Sequence, residues 1–218
     1  MPDLDFEITG VEAPSLSVAP LLLFKLAITN WPPDEPIHSV MLQCQIQIES
    51  VKRHYSGPEK EKLADLFGEP ERWGQTLRNK LWTHANVNIT AFTGRKVVDV
   101  AVPCTYDLNV VGTKFFYALE AGEIPLLFLF SGTIFYMAED GRLQVNQVSW
   151  NKEAAFKLPV SVWQQMIENH YPNSAWLYLQ RDVFERLYEY KRQQGLPTWE
   201  RTIERLLAAV EGGNQIVE

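Results

Sequence analysis

The chain has 218 residues, 46% of them hydrophobic and 22% charged, with 20 basic against 27 acidic residues and a net charge of −7. That composition fits a soluble globular protein with room for a large core, and 12 Gly, 13 Pro and 2 Cys exclude collagen-like, disordered and disulfide-scaffold classes. The acidic balance disfavours nucleic acid, because the basic residues between Lys52 and Lys80 alternate with acidic ones and form no patch.

The first five residues, Met1 to Asp5, are acidic and lack the basic and apolar regions of a signal peptide. The longest apolar stretches, Val18 to Phe24 and Ile124 to Phe130, fall well short of the roughly 20 residues that span a bilayer. A cytoplasmic protein with no membrane insertion is expected, and there Cys44 and Cys104 stay reduced.

Leu22 to Ile28 carries Phe24, Leu26 and Ile28 on one face and ends at the turn Asn30-Trp31-Pro32-Pro33. Val40, Leu42, Cys44, Ile46 and Ile48 alternate with polar residues, the mark of an antiparallel strand with one wet face. Ser56-Gly57-Pro58-Glu59 is a capping box with an early proline, and it predicts a helix through Leu63, Leu66 and Phe67 that Gly68 and Pro70 end. Trp73, Leu77 and Leu81, spaced by four, extend this helical insertion to about residue 82. Val87 and Ile89, then Val98 to Val102, then Tyr106, Leu108 and Val110 read as further short strands.

Phe115, Phe116 and Leu119 have helical spacing before Gly122. Ile124 to Phe130 is a continuous apolar run that suits a strand buried on both faces, with a bulge or kink at Ser131-Gly132. Asp140-Gly141 then predicts a hairpin into Leu143 to Trp150. Beyond it the period changes to about 3.6. Ser161, Ser174 and Thr198 read as N-caps of three helices, the last two with stripes Trp176, Leu179, Val183, Leu187, Tyr190 and Trp199, Ile203, Leu206, Leu207, Val210 facing inward.

The expected fold class is α+β: an antiparallel β-sandwich over residues 1–158 with a helical insertion near 58–82, a helical C-terminal part over 159–211 packed on it, and a frayed tail over 212–218. No phosphate-binding glycine loop, nucleophile elbow, HExxH or CxxC motif is present. His38, His54, His84 and His170 are dispersed, so no metal and no cofactor are expected.

Pro103-Cys104-Thr105-Tyr106-Asp107 gathers the most reactive side chains. A Cys-dependent hydrolase or transferase centred on Cys104, with Tyr106 and Asp107 nearby, needs His54 or His84 to lower the thiol pKa. The structural alternative is a small apolar core residue at a strand end. The seven tryptophans divide in the same way. Trp163, Trp176 and Trp199 fall on helix stripes, while Trp31 and Trp150 lie at a turn and a strand end, where an indole can meet a partner. Arg72 and Trp73, after Gly68-Glu69-Pro70, are a candidate cation-and-indole contact at a protein interface; burial under the helical insertion is the competing reading. Exposed tryptophans on an acidic sandwich also suit a small-molecule or carbohydrate binder.

Five strings run along nearly the whole chain: Leu42-Gln43-Cys44-Gln45-Ile46-Gln47-Ile48-Glu49, Leu66-Phe67-Gly68-Glu69-Pro70-Glu71-Arg72-Trp73, Pro103-Cys104-Thr105-Tyr106-Asp107, Leu129-Phe130-Ser131-Gly132-Thr133 and Gly195-Leu196-Pro197-Thr198-Trp199. Together they resemble an uncharacterised bacterial domain-of-unknown-function family whose genes are often seen near those of nickel–iron hydrogenases. The resemblance implies no catalytic residues. It implies an accessory role supporting a redox enzyme complex, and a protein partner of the hydrogenase kind that the chain contacts without handling metal.

Overall fold

The period-two segments pair into two antiparallel sheets in a computed structural model, which describes residues 1–104, 110–138, 140–174 and 179–213. The first sheet has the order β1 (Asp3–Glu12), β2 (Leu21–Trp31), β5 (Arg95–Pro103). The second has β4 (Lys80–Phe92), β3 (Ile37–Ile48) and β6 (Glu123–Met137) side by side. β7 (Leu143–Gln147) pairs with the second half of β6, and β8 (Glu153–Pro159) with its first half. Six helices accompany the sheets among the described residues, and the fold class is α+β. None of those helices is long and apolar enough to cross a membrane.

Alternation fixes which face of each strand is dry. Leu4, Phe6 and Ile8 on β1, Leu22, Phe24, Leu26 and Ile28 on β2, and Val40, Leu42, Cys44, Ile46 and Ile48 on β3 are buried. Rings link the two sheets: Phe6 stacks on Phe130 at 4.4 Å, and Phe24 meets Phe128 at 5.1 Å and Phe156 at 5.8 Å edge-on. Burying each such ring contributes about 2–3 kcal/mol. The edge strand β1 carries Asp3, Asp5 and Glu7 on its exposed face, charges that discourage edge-to-edge pairing.

Residues 49–79 separate β3 from β4, yet the two strands pair as neighbours from Ile48↔Lys80 onward. The insertion opens with a 3₁₀ turn at Ser50–Lys52 and continues into α1 (Gly57–Phe67), where Ser56 and Glu59 form the expected capping box. After it come a 3₁₀ turn at Pro70–Arg72 and a single turn, α2 (Trp73–Thr76). The expected helical stripe stops there, because Lys80 already belongs to β4, and Leu81 is exposed on that strand.

Four further expectations are corrected. Val110 begins a helix, α3 (Val110–Ala118), and does not end a strand; Tyr106 and Leu108 lie outside the described residues. β6 runs unbroken through Ser131-Gly132, with Gly132 directly opposite Leu42; the register shift in that pairing falls at Ile37/Ser39. β6 is buried on one face only, since Leu127 and Leu129 are half-buried between buried Leu126, Phe128 and Phe130. α4 (Val160–His170) starts one residue before Ser161, with Pro159 at the N-cap position, so the serine is inside the helix.

The chain divides into two compact units, Met1–Asn173 and Ser174–Glu218. α4 therefore belongs to the first unit, where Trp163 stacks on Phe116 of α3 at 5.2 Å. The second unit is a helical hairpin of α5 (Arg181–Gln193) and α6 (Trp199–Gly213). Thr198 caps α6 through Oγ1, which accepts from Arg201 N–H at 3.3 Å. Trp176 lies outside the described residues.

Candidate functional site

The Cys104 constellation does not assemble. Cys104 follows β5, its backbone N–H donates to Pro20 O, and its thiol donates to Val102 O at 3.4 Å. Burial pushes the thiol up to about 12, with only a backbone hydrogen bond at Leu22 opposing, so it is protonated at neutral pH and not activated. His84 is exposed on β4 opposite Gln45, in the other sheet, and His54 is exposed in the insertion. Neither shares a hydrogen bond with Cys104 among the described residues. Tyr106 and Asp107 lie outside those residues. Cys44 is fully buried on β3, and both cysteines are free. Among the described residues no three His, Cys, Asp or Glu side chains gather as metal ligands.

The pairing of Arg72 with Trp73 as a surface contact is corrected. Arg72 is exposed, but Trp73 is 8% exposed and its indole N–H donates to Gly68 O at 2.8 Å. Tyr55 and Phe67 meet its ring edge-on at 5.3 and 5.7 Å. The physical reason is the short chain between α1 and β4. A single turn at Trp73 folds the indole back onto the face of α1 that would otherwise be wet. Trp73→Phe should cost about 1 kcal/mol, the worth of one buried hydrogen bond, read as a lower urea midpoint with an unchanged slope. An unchanged midpoint would show that this indole holds nothing in place.

Beside the insertion lies an open groove of about 520 Å³ with Lys52, Arg53, His54, Glu120, Glu123 and Lys157 in its wall. Its charges are already matched: Lys52 with Glu49 at 2.7 Å, Arg53 with Glu59 at 2.9 Å, and Lys157 with Glu123 at 3.5 Å. The Arg53 guanidinium also donates to Ala121 O and Glu123 O, so four of its five N–H donors are engaged within the protein. The groove offers a ligand no unpaired cation among these groups.

The other two candidate tryptophans, Trp31 and Trp150, are both exposed. Trp31 closes β2 directly opposite Asp3 and is 69% exposed. The chain after it is held from beneath by Asn30, which is fully buried and donates through Nδ2 to Pro32 O at 3.0 Å and Glu35 O at 2.9 Å. Trp150, 94% exposed, tops the turn between β7 and β8. Hydrogen bonds from Val148 N–H to Gly132 O and from Phe130 N–H to Lys152 O tie both sides of that turn to β6.

Lys152 joins the two places. Its ammonium lies 2.9 Å from Asp3 and 2.8 Å from Asp5, with the lysine side chain 15% exposed. Burial works to lower its pKa, but the hydrogen bonds to Asp5 and Asp3 outweigh it and hold the group above its ordinary value. Asp3 thus stands beside Trp31 through the β1–β2 ladder and beside the Trp150 turn through Lys152. Asn146 adds a second tie, donating to Pro2 O at 3.1 Å. One indole is thus opposite Asp3 in the ladder, and the other is two residues from the lysine that pairs with it. Asp3 and Lys152 were not singled out from sequence. The alternation of Leu4, Phe6 and Ile8 could have revealed β1, but nothing local marks Lys152 as its tether.

A family model described as "Family of unknown function (DUF6084)" matches residues 1–215. A search of curated proteins finds no significant match. Among solved structures, the CARDB domain of the PF1109 protein from Pyrococcus furiosus, in complex with di-metal ions, is 13% identical. That match covers 72% of this chain and 92% of that one, with a TM-score of 0.28. β-Glucosidase 3B from Thermotoga neapolitana, in complex with α-D-glucose, is 12% identical over 72% of this chain and 17% of that one, with a TM-score of 0.26. At these TM-scores neither likeness bears on fold or function.

Proposed function

The chain belongs to the DUF6084 family of unknown function, and from that premise we propose a non-enzymatic binding module, a β-sandwich with appended helices, that meets a protein partner through Trp31 and Trp150. The observation that supports this reading is a pair of exposed indoles, Trp31 opposite Asp3 in the β1–β2 ladder and Trp150 two residues from the Lys152 that pairs with Asp3. An indole left in water on a firmly anchored turn contributes little to folding and much to association, because its large apolar area is buried only when a partner covers it. Here both turns are anchored from below by backbone and side-chain hydrogen bonds, so little order is lost on binding.

The resemblance noted from sequence supplies the class of partner: a cytoplasmic redox enzyme complex, such as a nickel–iron hydrogenase, that the module supports as an accessory. A carbohydrate or other small ligand is the second reading, and it is weaker because the groove beside Arg53 has no tryptophan in its wall. The Cys104 enzyme is weaker still, since burial keeps the thiol protonated.

The test is affinity purification of the tagged full chain from its native host, with mass spectrometry, alongside Trp31→Ala, Trp150→Ala and the double variant. The melting temperature should stay within the change expected for about 0.5 kcal/mol, because neither exposed ring holds core area. The double variant should lose the co-purifying subunit. Undiminished capture by the double variant would remove this surface from the proposal, and a wild-type chain that brings down nothing would remove the accessory role.

A further inference from the structure

The last turn of α4 holds a histidine between two acceptors. His170 is half-buried, and its Nδ1 lies 2.8 Å from Met166 O, one helical turn back. Its Nε2 lies 3.1 Å from Ser17 O, in the segment between β1 and β2 and 153 residues away in sequence. A carbonyl oxygen can only accept, so each contact needs an N–H on the ring. Neutral imidazole has one N–H and one lone pair, whereas imidazolium has two N–H groups. Both bonds therefore form only with the charged ring. In the neutral ring one nitrogen turns a lone pair on a carbonyl oxygen.

Nothing around the ring stands in for its second proton. Residues 13–20 carry no ionisable side chain, and the Ser17 hydroxyl donates to Ala19 O at 2.6 Å. α4 has one other ionisable group, Glu168, whose Oε1 accepts from Asn173 N–H at 3.1 Å. Tyr171 follows directly, its ring centre 6.4 Å from that of the imidazole. Of the elements packed on α4, β2 carries Lys25, held by Glu12 at 2.7 Å and Asp99 at 2.8 Å. β8 carries Glu153 and Lys157, and α3 carries Lys114 and Tyr117. No carboxylate or ammonium of these pairs with the ring among the described residues.

We propose that His170 is a proton-operated latch: as imidazolium it bonds the middle of the β1–β2 segment to the end of α4, and on losing a proton it lets that segment go. The neutral ring keeps the bond to Met166 O, which lies within its own helix, and gives up Ser17 O. The latch is closed at low pH and opens as pH rises through the range, between about pH 5 and pH 8, where histidine changes charge. Its output is the pair Leu16 and Val18, which flank Ser17 and stand fully in water. A closed latch holds them in one arrangement, and an open one releases them. The far end of the segment stays tied in both states, because Pro20 O accepts from Cys104 N–H at 2.8 Å. The device uses neither Trp31 nor Trp150, so it can fail without the binding module failing, and the reverse.

Nuclear magnetic resonance of the 15N-labelled full chain tests it between about pH 5 and pH 8. At the acid end both ring nitrogens of His170 should carry protons. The Leu16, Ser17 and Val18 amides should then have order parameters of about 0.85, falling below about 0.6 at the alkaline end. Segment and ring should share one midpoint. A folded His170→Gln variant, which cannot change charge, should give a segment whose order is the same at both ends. His38→Gln, at an exposed histidine, should leave the wild-type transition in place. A ring with a single proton at the acid end would overturn the proposal. So would a wild-type segment of constant order, or a transition that survives in His170→Gln. The wild-type measurements decide by themselves if the substitution at His170 unfolds the chain.

Discussion

Replacing Glu59 with alanine should destabilise the protein by about 3–5 kcal/mol, the range for removing one partner of a buried ion pair. The Glu59 and Arg53 side chains are 5% and 6% exposed, and the carboxylate is fully engaged. One oxygen accepts from Arg53 Nη2 at 2.9 Å and from Glu120 N–H at 2.9 Å; the other accepts from Arg53 Nη1 at 3.0 Å and from Ser56 N–H at 2.9 Å. This one side chain therefore closes the capping box of α1, neutralises Arg53 and fixes the chain after α3. Glu59→Gln is nearly as severe, because whichever way the amide turns, its NH₂ faces donors. Burial works to raise the Glu59 pKa, but the Arg53 hydrogen bonds and the two backbone donors overcome it and hold the group at about 2 against an ordinary 4.5.

The sign of the pH effect follows. A depressed carboxyl stabilises the fold above its unfolded pKa, and that contribution fades as pH falls through the folded pKa. Wild-type stability should thus drop by on the order of 3 kcal/mol from this group between pH 5 and pH 2, and the glutamine variant should lack that component. Urea midpoints at a series of pH values check both statements. A Glu59→Gln variant with the wild-type midpoint and the wild-type acid profile would show that the pair does not hold the insertion in place.

Gly132→Ala should cost about 3 kcal/mol or more, although it adds a single methyl group. Gly132 has a φ of +157°, and a Cβ built there would sit 2.2 Å from Met41 O and 3.1 Å from Leu42 Cα. Those are backbone atoms of β3, which is hydrogen-bonded on both sides, to β4 and to β6. The strand cannot yield without breaking ladder bonds, and the Gly132 carbonyl also accepts from Val148 N–H below the Trp150 turn. Gly74, with nothing within 4 Å of its Cβ direction, is the control. Gly74→Ala should be neutral or stabilising by about 0.5 kcal/mol, through a less flexible unfolded chain. Equal melting temperatures for the two alanine variants would contradict the close approach of β3 and β6.

What this sequence determined by itself is whatever depends on near neighbours. The period-two alternation of Val40 to Ile48 sets β3 and its dry face, and the Ser56–Glu59 spacing sets the start of α1. Asp140-Gly141 turns β6 into β7, and proline-rich or turn contexts leave Trp31 and Trp150 in water. Each of these follows from backbone geometry within a few residues.

The tertiary structure decided everything that depends on distant partners. Trp73 and Arg72 look alike as surface candidates in sequence, yet the indole is buried because Tyr55 and Phe67 are there to receive it. Arg53 reads as one charge in a mixed run, and it becomes a buried hub only where Ala121 and Glu123, some seventy residues on, supply their carbonyls. Gly132 suggested a bulge, whereas its real constraint is the β3 backbone across the ladder. The stripe of α6 has the period of a buried face, but a period states only that a face is apolar. Whether it is covered depends on how much chain the fold brings against it, and Leu207 and Val210 remain in water.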